Sequence, residues 1–243
     1  MSSSTAAAGP AWAPPLWHAL AALTVAGVLA TLYLTFAVAP VEAQMGIVQK
    51  IFYFHVPAAQ AMYVGFIAAA VGGLMYLWKR NDAWDAFCVA GAEVGMLFCL
   101  IVLVTGPLWG RKAWGAYWVW DPRLTSTLLT GLLYMAFLSL RGSGMAGAIE
   151  KRFAAALAVI SFPMLFLIKY SVARWAGQHP QVVTGEGQGL APDMYPALGA
   201  GLVFGLLLVG WLLWARYRVE RTRQQVGRLE QEAAERGLLE DLY

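Results

Sequence analysis

The sequence predicts an all-α integral membrane protein with six transmembrane helices. Of the 243 residues, 60% are hydrophobic and only 13% are charged, whereas soluble domains are about half apolar and a quarter charged. The mean hydropathy of +0.59 indicates that much of the surface faces lipid rather than water. The apolar stretches are continuous rather than alternating, which argues against the strands of a membrane barrel.

Six apolar stretches are each close to the ~17–25 residues that a helix needs to cross a bilayer. They cover residues 20–38, 56–78, 87–108, 124–140, 153–170 and 195–215. We therefore predict a six-helix membrane domain over 1–215, followed by a cytoplasmic tail helix over 216–243. The first stretch is too long for a signal-peptide core, and no Lys or Arg precedes it, so we expect it to remain uncleaved.

The distribution of basic residues predicts that both termini are cytoplasmic. With six spans, the side that holds the termini receives 11 Lys and Arg residues and the opposite side receives 6. Cytoplasmic segments carry the excess of Lys and Arg in membrane proteins. Three loops, 39–55, 109–123 and 171–194, are then expected on the outer side.

One outer segment, residues 109–126, reads WGRKAWGAYWVWDPRLTS and concentrates aromatic rings. Its rings are Trp109, Trp114, Tyr117, Trp118 and Trp120. Trp and Tyr gather at headgroup depth in many membrane proteins, so an interfacial belt is one interpretation. Five rings in one loop also suit a flat apolar platform for a large planar ligand with polar substituents. The residues alone leave both interpretations open.

Two carboxylates lie at or within predicted spans. Asp121 and Pro122 directly precede the fourth span, where Asp is a favoured N-cap and Pro a favoured first helical residue. Asp121 could cap the helix and also orient an indole or Arg123. Glu93 lies inside the third span, where a carboxylate is costly and suggests a function. Snorkelling, contact with a partner and a role at the ligand site all remain open for Glu93.

Two of the three histidines are expected on the outer side. His18 precedes the first span, whereas His55 opens the second span and His179 lies in the last outer loop. Imidazole is a common ligand of heme iron and of other transition metals. A helix N-terminus also favours the neutral, ligating form of His55. Hydrogen-bonded structural histidines remain the alternative. No Cys-x-x-Cys-His occurs, so the chain does not attach a c-type heme to itself.

The residues before His55 also follow a helical pattern. Met45, Val48, Phe52 and His55 fall on one face, and Lys50 lies off that face. The pattern predicts a short helix on the outer membrane surface that aims His55 along its apolar side.

Three segments carry a resemblance to a known family. WGAYWVWDPRLTS resembles the Trp-rich WWD signature of the membrane proteins that handle heme in cytochrome c maturation. With APVEAQMGIVQKIFYFHVPAA and KYSVARWAGQH, it is similar to the CcmC family, heme exporter protein C, over nearly the whole chain. The resemblance implies that heme b binds at the periplasmic face of the bacterial inner membrane. It implies axial ligation by His55 and His179, and a platform made of Trp114, Gly115, Tyr117, Trp118, Trp120 and Asp121. The heme propionates suit cations such as Arg123, Arg111 or Lys112.

The resemblance also implies partners and a role in delivery. Heme would be presented to CcmE, a membrane-anchored periplasmic chaperone that binds it covalently. The ABC-type subunits CcmA and CcmB, with the small membrane protein CcmD, would then release the loaded chaperone. This chain has no Walker A sequence, so any use of ATP belongs to a partner. Membrane lipid is an expected contact and nucleic acid is not.

Three functions follow from this interpretation. The first is a heme-binding and delivery subunit that is not itself an enzyme, although it could assist covalent attachment of heme to the chaperone. The second is a heme lyase of the related larger type, which joins heme to apocytochrome c. The third is a transporter that moves heme through its own bundle, which requires polar or broken helices at mid-membrane.

Overall fold

The computed structural model describes residues 14–142, 147–175, 177, 179 and 190–237, apart from the side chains at positions 172 and 173. Its six long helices are α1 Pro15–Tyr33, α2 Phe52–Lys79, α3 Asp82–Trp114, α4 Pro122–Gly142, α5 Ala148–Trp175 and α6 Tyr195–Glu235. A π-helical turn, Leu34–Val38, continues α1, and 3-10 turns, Ile47–Ile51 and Pro192–Met194, lead into α2 and α6. Six helical segments are long and apolar enough to cross a membrane, and no strand occurs in the described residues. The predicted all-α fold with six transmembrane helices is confirmed.

Five of the six predicted spans fall within one of these helices, the first, 20–38, covers α1 and its π-helical continuation, and several helices extend further. α3 continues to Trp114 and α5 to Trp175, so part of the second and third outer loops is helical. α6 has 41 residues and is about 60 Å long at 1.5 Å per residue. This is about twice the ~30 Å hydrocarbon thickness of a bilayer. The helix runs through residue 215 without a break, and the domain boundary proposed there stays a prediction.

Large apolar side chains are exposed along the outer faces of the bundle. Examples are Leu29 on α1, Leu74 on α2, Val104 on α3, Ile160 on α5 and Val203 on α6. Such continuous exposure is unfavourable in water, and it matches the lipid-facing surface that the composition predicts.

Small residues bring α2 and α3 into very close contact. A Cβ added to Gly65 would lie 2.5 Å from Cα of Gly95, and one added to Gly91 would lie 2.4 Å from the backbone nitrogen of Ala69. Helices in membranes commonly pack through small residues, because the backbones can then approach closely. The α2–α3 pair therefore forms a tightly packed unit, and it carries a large part of the site described below.

The first turn of α2 is fixed against α6. Pro57 has no N–H, so the carbonyl of Tyr53 loses its helical hydrogen-bond donor. Gly201 of α6 lies against this carbonyl, since a Cβ on Gly201 would be 2.6 Å from the Tyr53 oxygen and 2.9 Å from Cγ of Pro57. Gly205 contacts Pro57 in the next turn, where a Cβ would lie 3.2 Å away. This packing positions the turn that carries His55.

The segment before His55 differs from its prediction. Lys50 is only 5% exposed, and its Nζ donates hydrogen bonds to the carbonyls of Thr35 and Ala39. These carbonyls lie at the end of the first span, where a helix has backbone acceptors without helical partners. The lysine therefore holds the segment inward as a 3-10 turn continuous with α2. The predicted short helix is therefore a 3-10 turn that leads directly into α2, and its position at the membrane surface stays a prediction.

An ion cluster joins four helices at one end of the bundle. Arg141 of α4 lies 3.1 Å from Asp85 of α3, 3.5 Å from Glu150 of α5 and 3.6 Å from Glu220 of α6. We call this end the charged end. The opposite end, where α2 and α4 begin and α3 and α5 end, is called the cavity end.

Glu93, the carboxylate inside the third span, is paired. Its side chain accepts a hydrogen bond from Nε of Arg216 on α6. This ion pair joins α6 to α3 within the chain, and it explains why a carboxylate is present inside an apolar span.

Candidate functional site

A cavity of about 810 Å³ lies at the cavity end, between α2, α3, α4 and α5 and the segments that follow α3 and α5. Its volume is within the ~300–1,000 Å³ typical of sites for small molecules and cofactors. Both His55 and His179 line it. The fold thus brings to one site the two histidines that the sequence predicts on the outer side.

Three tryptophans, Trp109, Trp114 and Trp118, form part of the wall. The rings of Trp109 and Trp114 meet edge to face, with centroids 5.6 Å apart and an interplanar angle of 72°. Trp118 and Trp120 are arranged similarly, 5.8 Å apart at 81°. The indoles within each pair are therefore steeply inclined rather than coplanar, and a platform made by these rings stays a prediction.

The indole N–H groups of these three wall tryptophans are unusual. Nε1 of Trp109, Trp114 and Trp118 is buried without a hydrogen-bond partner within the described part of the chain, and so is Oε1 of Gln60. Leaving a buried polar group unpaired costs about 1–3 kcal/mol. All four residues line the same cavity. Because these atoms have almost no accessible surface, they face packed protein rather than the open cavity.

Two cations border the cavity, Arg123 and Lys169. The Arg123 guanidinium is held by the end of α5, where Nε donates to the Ile168 carbonyl at 3.1 Å and Nη2 to the Lys169 carbonyl at 3.2 Å. Arg111 instead donates to the Gly115 carbonyl and lies over the Tyr117 ring. Of the predicted propionate partners, only Arg123 borders the cavity, and sequence reasoning did not identify Lys169.

His55 enters the cavity from the first turn of α2. Its Nδ1 lies 2.8 Å from Oγ1 of Thr105 on α3. The neighbouring Gly106 leaves room for the ring, because a Cβ there would lie 3.4 Å from Cε1 of His55. Thr105 fixes one side of the imidazole and leaves Nε2 as the nitrogen available to a ligand.

His179 enters the cavity from the segment after α5. Its Nδ1 lies 3.0 Å from Nη1 of Arg123. Gly177 lies against Asp121, since a Cβ on this glycine would be 2.2 Å from Oδ2. The close approach places Gly177 at the start of α4, and His179 borders the cavity beside Arg123.

Asp121 caps α4, as predicted. Its Oδ1 accepts hydrogen bonds from the backbone N–H of Arg123 at 2.8 Å and of Leu124 at 3.3 Å. Both are free donors of the first helical turn. The cap fixes the start of α4 and thereby the position of Arg123.

Some predicted contact residues lie outside the cavity wall. Gly115 ends α3 with a left-handed φ of 82°, a conformation that favours glycine. Gly115, Tyr117, Trp120 and Asp121 are not among the residues that line the cavity. Their contact with heme stays a prediction, whereas His55, His179, Trp114, Trp118 and Arg123 are placed around one space.

Sequence reasoning missed further wall residues, including Gln60, Tyr63 and Thr127. Gln60 follows His55 by somewhat more than one helical turn, inside an apolar span. A polar side chain at such a position is itself a signal of function. Tyr63 and Thr127 carried no comparable signal in the sequence. In the structure, their hydroxyl groups donate hydrogen bonds to backbone carbonyls.

The donors at this site suit a metal that brings most of its own ligands. No group of three or more His, Cys, Asp or Glu side chains able to hold a metal ion occurs in the described residues. Two imidazoles alone do not complete a metal site made by protein. Two imidazoles match the number of axial positions of an iron whose other four ligands belong to a macrocycle.

The fold and the site define a multi-span helical membrane protein with a cavity lined by two histidines, three tryptophans and two cations. The chain belongs to the CcmC family, since the family model for heme exporter protein C matches residues 4–233.

Individual relatives agree with this assignment. The chain is 34% identical to heme exporter protein C of Bradyrhizobium diazoefficiens, over 89% of this chain and 83% of that protein. It is 37% identical to heme exporter protein C of Escherichia coli over 72% of this chain and 70% of the relative. A putative cytochrome c biosynthesis ccmC-like mitochondrial protein of Marchantia polymorpha is 31% identical, over 76% of this chain and 74% of its own.

Proposed function

We propose that the cavity binds heme b and presents it to the chaperone CcmE during biogenesis of c-type cytochromes. The observation that carries this proposal is that His55 and His179, far apart in the sequence, line one cavity. The names of the relatives, heme exporter protein C and cytochrome c biosynthesis protein, support heme handling as the broader role.

The chemistry of the wall matches the parts of heme. The apolar and indole side chains suit the porphyrin faces, and the two imidazoles suit the axial positions of the iron. Arg123 and Lys169 provide positive charge for the propionates.

Delivery requires the cavity to face the compartment of the chaperone. If both termini are cytoplasmic, as the Lys and Arg distribution predicts, the cavity end faces the periplasm. There CcmE would take the heme, and the ABC-type subunits CcmA and CcmB with CcmD would release the loaded chaperone.

One observation argues against passage of heme through this bundle. Phe66 of α2 and Tyr134 of α4 stack with centroids 3.9 Å apart and an interplanar angle of 10°. The Tyr134 hydroxyl also donates to the Phe66 carbonyl at 3.2 Å. Both side chains are fully buried, so the interior beyond the cavity is closed by packed aromatic rings. This favours binding at the cavity end over transport through the bundle.

The test is to fill the cavity. Gly106→Leu places a side chain beside His55, and the matched control Gly210→Leu lies on α6, where an added Cβ meets nothing within 4 Å. Both proteins are purified from cells that make heme, and heme is measured per protein. We expect loss of heme in the first variant and wild-type content in the control. Full heme content in Gly106→Leu would place the binding site elsewhere.

The delivery step has its own readout. The same cells are tested for covalent heme on CcmE by heme staining of the separated protein. We expect the stained chaperone to disappear with Gly106→Leu and to persist with Gly210→Leu. If the wild-type chain binds heme but CcmE still stains in cells that carry Gly106→Leu, the presentation role is wrong although the heme site stands.

A further inference from the structure

The two cavity histidines differ in the nitrogen that carries the ring proton. Thr105 Oγ1 lies 2.7 Å from the Ile101 carbonyl, and a carbonyl oxygen can only accept. The hydroxyl proton is therefore directed to Ile101, since two oxygens at that distance without a proton between them repel. Thr105 Oγ1, at 2.8 Å from Nδ1 of His55, must then accept a proton from the ring.

This hydrogen bond sets the tautomer of His55. Nδ1 carries the proton, and Nε2 of the neutral ring keeps its lone pair. A hydrogen bond to the distal ring nitrogen fixes both the tautomer and the orientation of a ligating histidine. Thr105 thus holds His55 in the form that can ligate iron without further change.

In His179 the ring proton is on the other nitrogen, Nε2. Arg123 has only donors, so its Nη1, at 3.0 Å from Nδ1 of His179, meets an unprotonated nitrogen. The proton of the neutral ring is then on Nε2, and the lone pair on Nδ1 is engaged by the guanidinium. Ligation through Nε2 requires the proton to leave Nε2 and Nδ1 to receive one, so Arg123 must first leave Nδ1.

A carboxylate is the natural acceptor for this guanidinium. Hydrogen bonds between Arg and carboxylate are about twice as strong as neutral ones. The guanidinium is planar and rigid, so Arg123 turns from His179 as a whole group, and its hydrogen bonds to the Ile168 and Lys169 carbonyls lengthen with it. When a propionate takes the hydrogen bond from Nη1, Nδ1 of His179 takes a proton from water while Nε2 gives one up, with no net change in charge.

We propose that His55, preset by Thr105, is the first iron ligand, and that His179 ligates only after Arg123 turns from its ring to a heme propionate. The proposal rests on the proposed function and adds an order of ligation to it. Thr105 is a positioning residue, and Arg123 couples recognition of the propionate to the second axial bond. A heme lacking its propionates is therefore expected to bind with one histidine only.

The first test uses heme-free protein. The full chain with His18→Gln, at an exposed position on α1, keeps only His55 and His179, and it is labelled with ¹⁵N-histidine and reconstituted in bilayers. Nitrogen NMR is expected to find His55 protonated on Nδ1 and His179 on Nε2. Thr105→Val should disturb only the His55 signal, whereas Thr105→Ser, which keeps the hydroxyl, should not. The same tautomer for both rings, or no response to Thr105→Val, would overturn the proposal.

The second test adds heme. Removal of the hydrogen-bond partner of a ligating histidine commonly lowers metal affinity about 10–100-fold, so we expect this loss for Thr105→Val and near wild-type affinity for Thr105→Ser. Iron porphyrin with esterified propionates should give a five-coordinate spectrum in the wild-type protein. A six-coordinate spectrum with the ester would contradict the role of Arg123. Because the NMR needs no heme, failure of heme binding would refute the proposed function and leave the tautomer result intact.

Discussion

Trp118 and Trp120 meet edge to face with ring centroids 5.8 Å apart, but only Trp118 borders the cavity. Trp120 is 77% exposed. These neighbouring indoles therefore separate the two interpretations of the Trp-rich segment. Trp118 is placed to contact a ligand, and Trp120 has the exposure expected of an interfacial residue.

This difference predicts unequal effects of alanine substitution. Losing the contact of a large apolar side chain reduces the binding free energy by about 1.5–3 kcal/mol. Trp118→Ala should therefore weaken heme binding roughly 10–100-fold. Trp120→Ala, the matched control, should stay near wild type. Heme titration of the purified variants measures both. Equal losses would mean that the exposed ring contacts heme too, and no loss in either would leave only an interfacial belt.

The contact between α2 and α3 predicts a large effect of one methyl group. Gly91→Ala places a Cβ 2.4 Å from the backbone nitrogen of Ala69, and backbone cannot move as readily as a side chain. Overpacking typically costs about 1–3 kcal/mol, so the free energy of unfolding should fall by this amount in a denaturant titration in detergent. Gly210→Ala, with nothing within 4 Å of the added Cβ, should leave it unchanged. An equally stable Gly91→Ala protein would show that the two helices are less closely packed.

The orientation of the bundle can be tested by labelling single cysteines from outside the cell. Lys112→Cys lies at the cavity end and Arg80→Cys at the opposite end, and both positions are exposed. The native Cys88 and Cys99 are buried and should contribute little background. A reagent that cannot cross the inner membrane should label position 112 and not position 80. The reverse pattern would place the cavity on the cytoplasmic side and remove the basis for delivery to a periplasmic chaperone.

The sequence was sufficient for the fold class and for part of the site. Continuous apolar stretches have few alternatives to transmembrane helices, which is why all six could be predicted. The cap at Asp121 could be predicted because capping depends on residues close in sequence. His55 and His179 could be identified as candidates by residue type, but only the packed helices show that they share one cavity.

The rest depended on contacts between distant segments. Lys50 looks like a surface residue in the sequence, yet its ammonium group satisfies carbonyls at the end of the first span. Thr105 resembles any threonine in an apolar helix until α2 places His55 2.8 Å from its hydroxyl. Lys169 and Gln60 join the wall for the same reason. No local pattern encodes these relationships, since each depends on how two helices pack.

The most direct test of the central claim is the absorption spectrum of the purified heme-bound protein, recorded for the wild type and for the His55→Ala and His179→Ala variants. Two histidine ligands predict a six-coordinate, low-spin spectrum that each substitution disturbs and that added imidazole restores. The aromatic wall and the cations remain in both variants, so some heme should still bind and keep the spectra measurable. If neither substitution alters the spectrum, these histidines do not ligate the iron and the cavity is not the heme site proposed here.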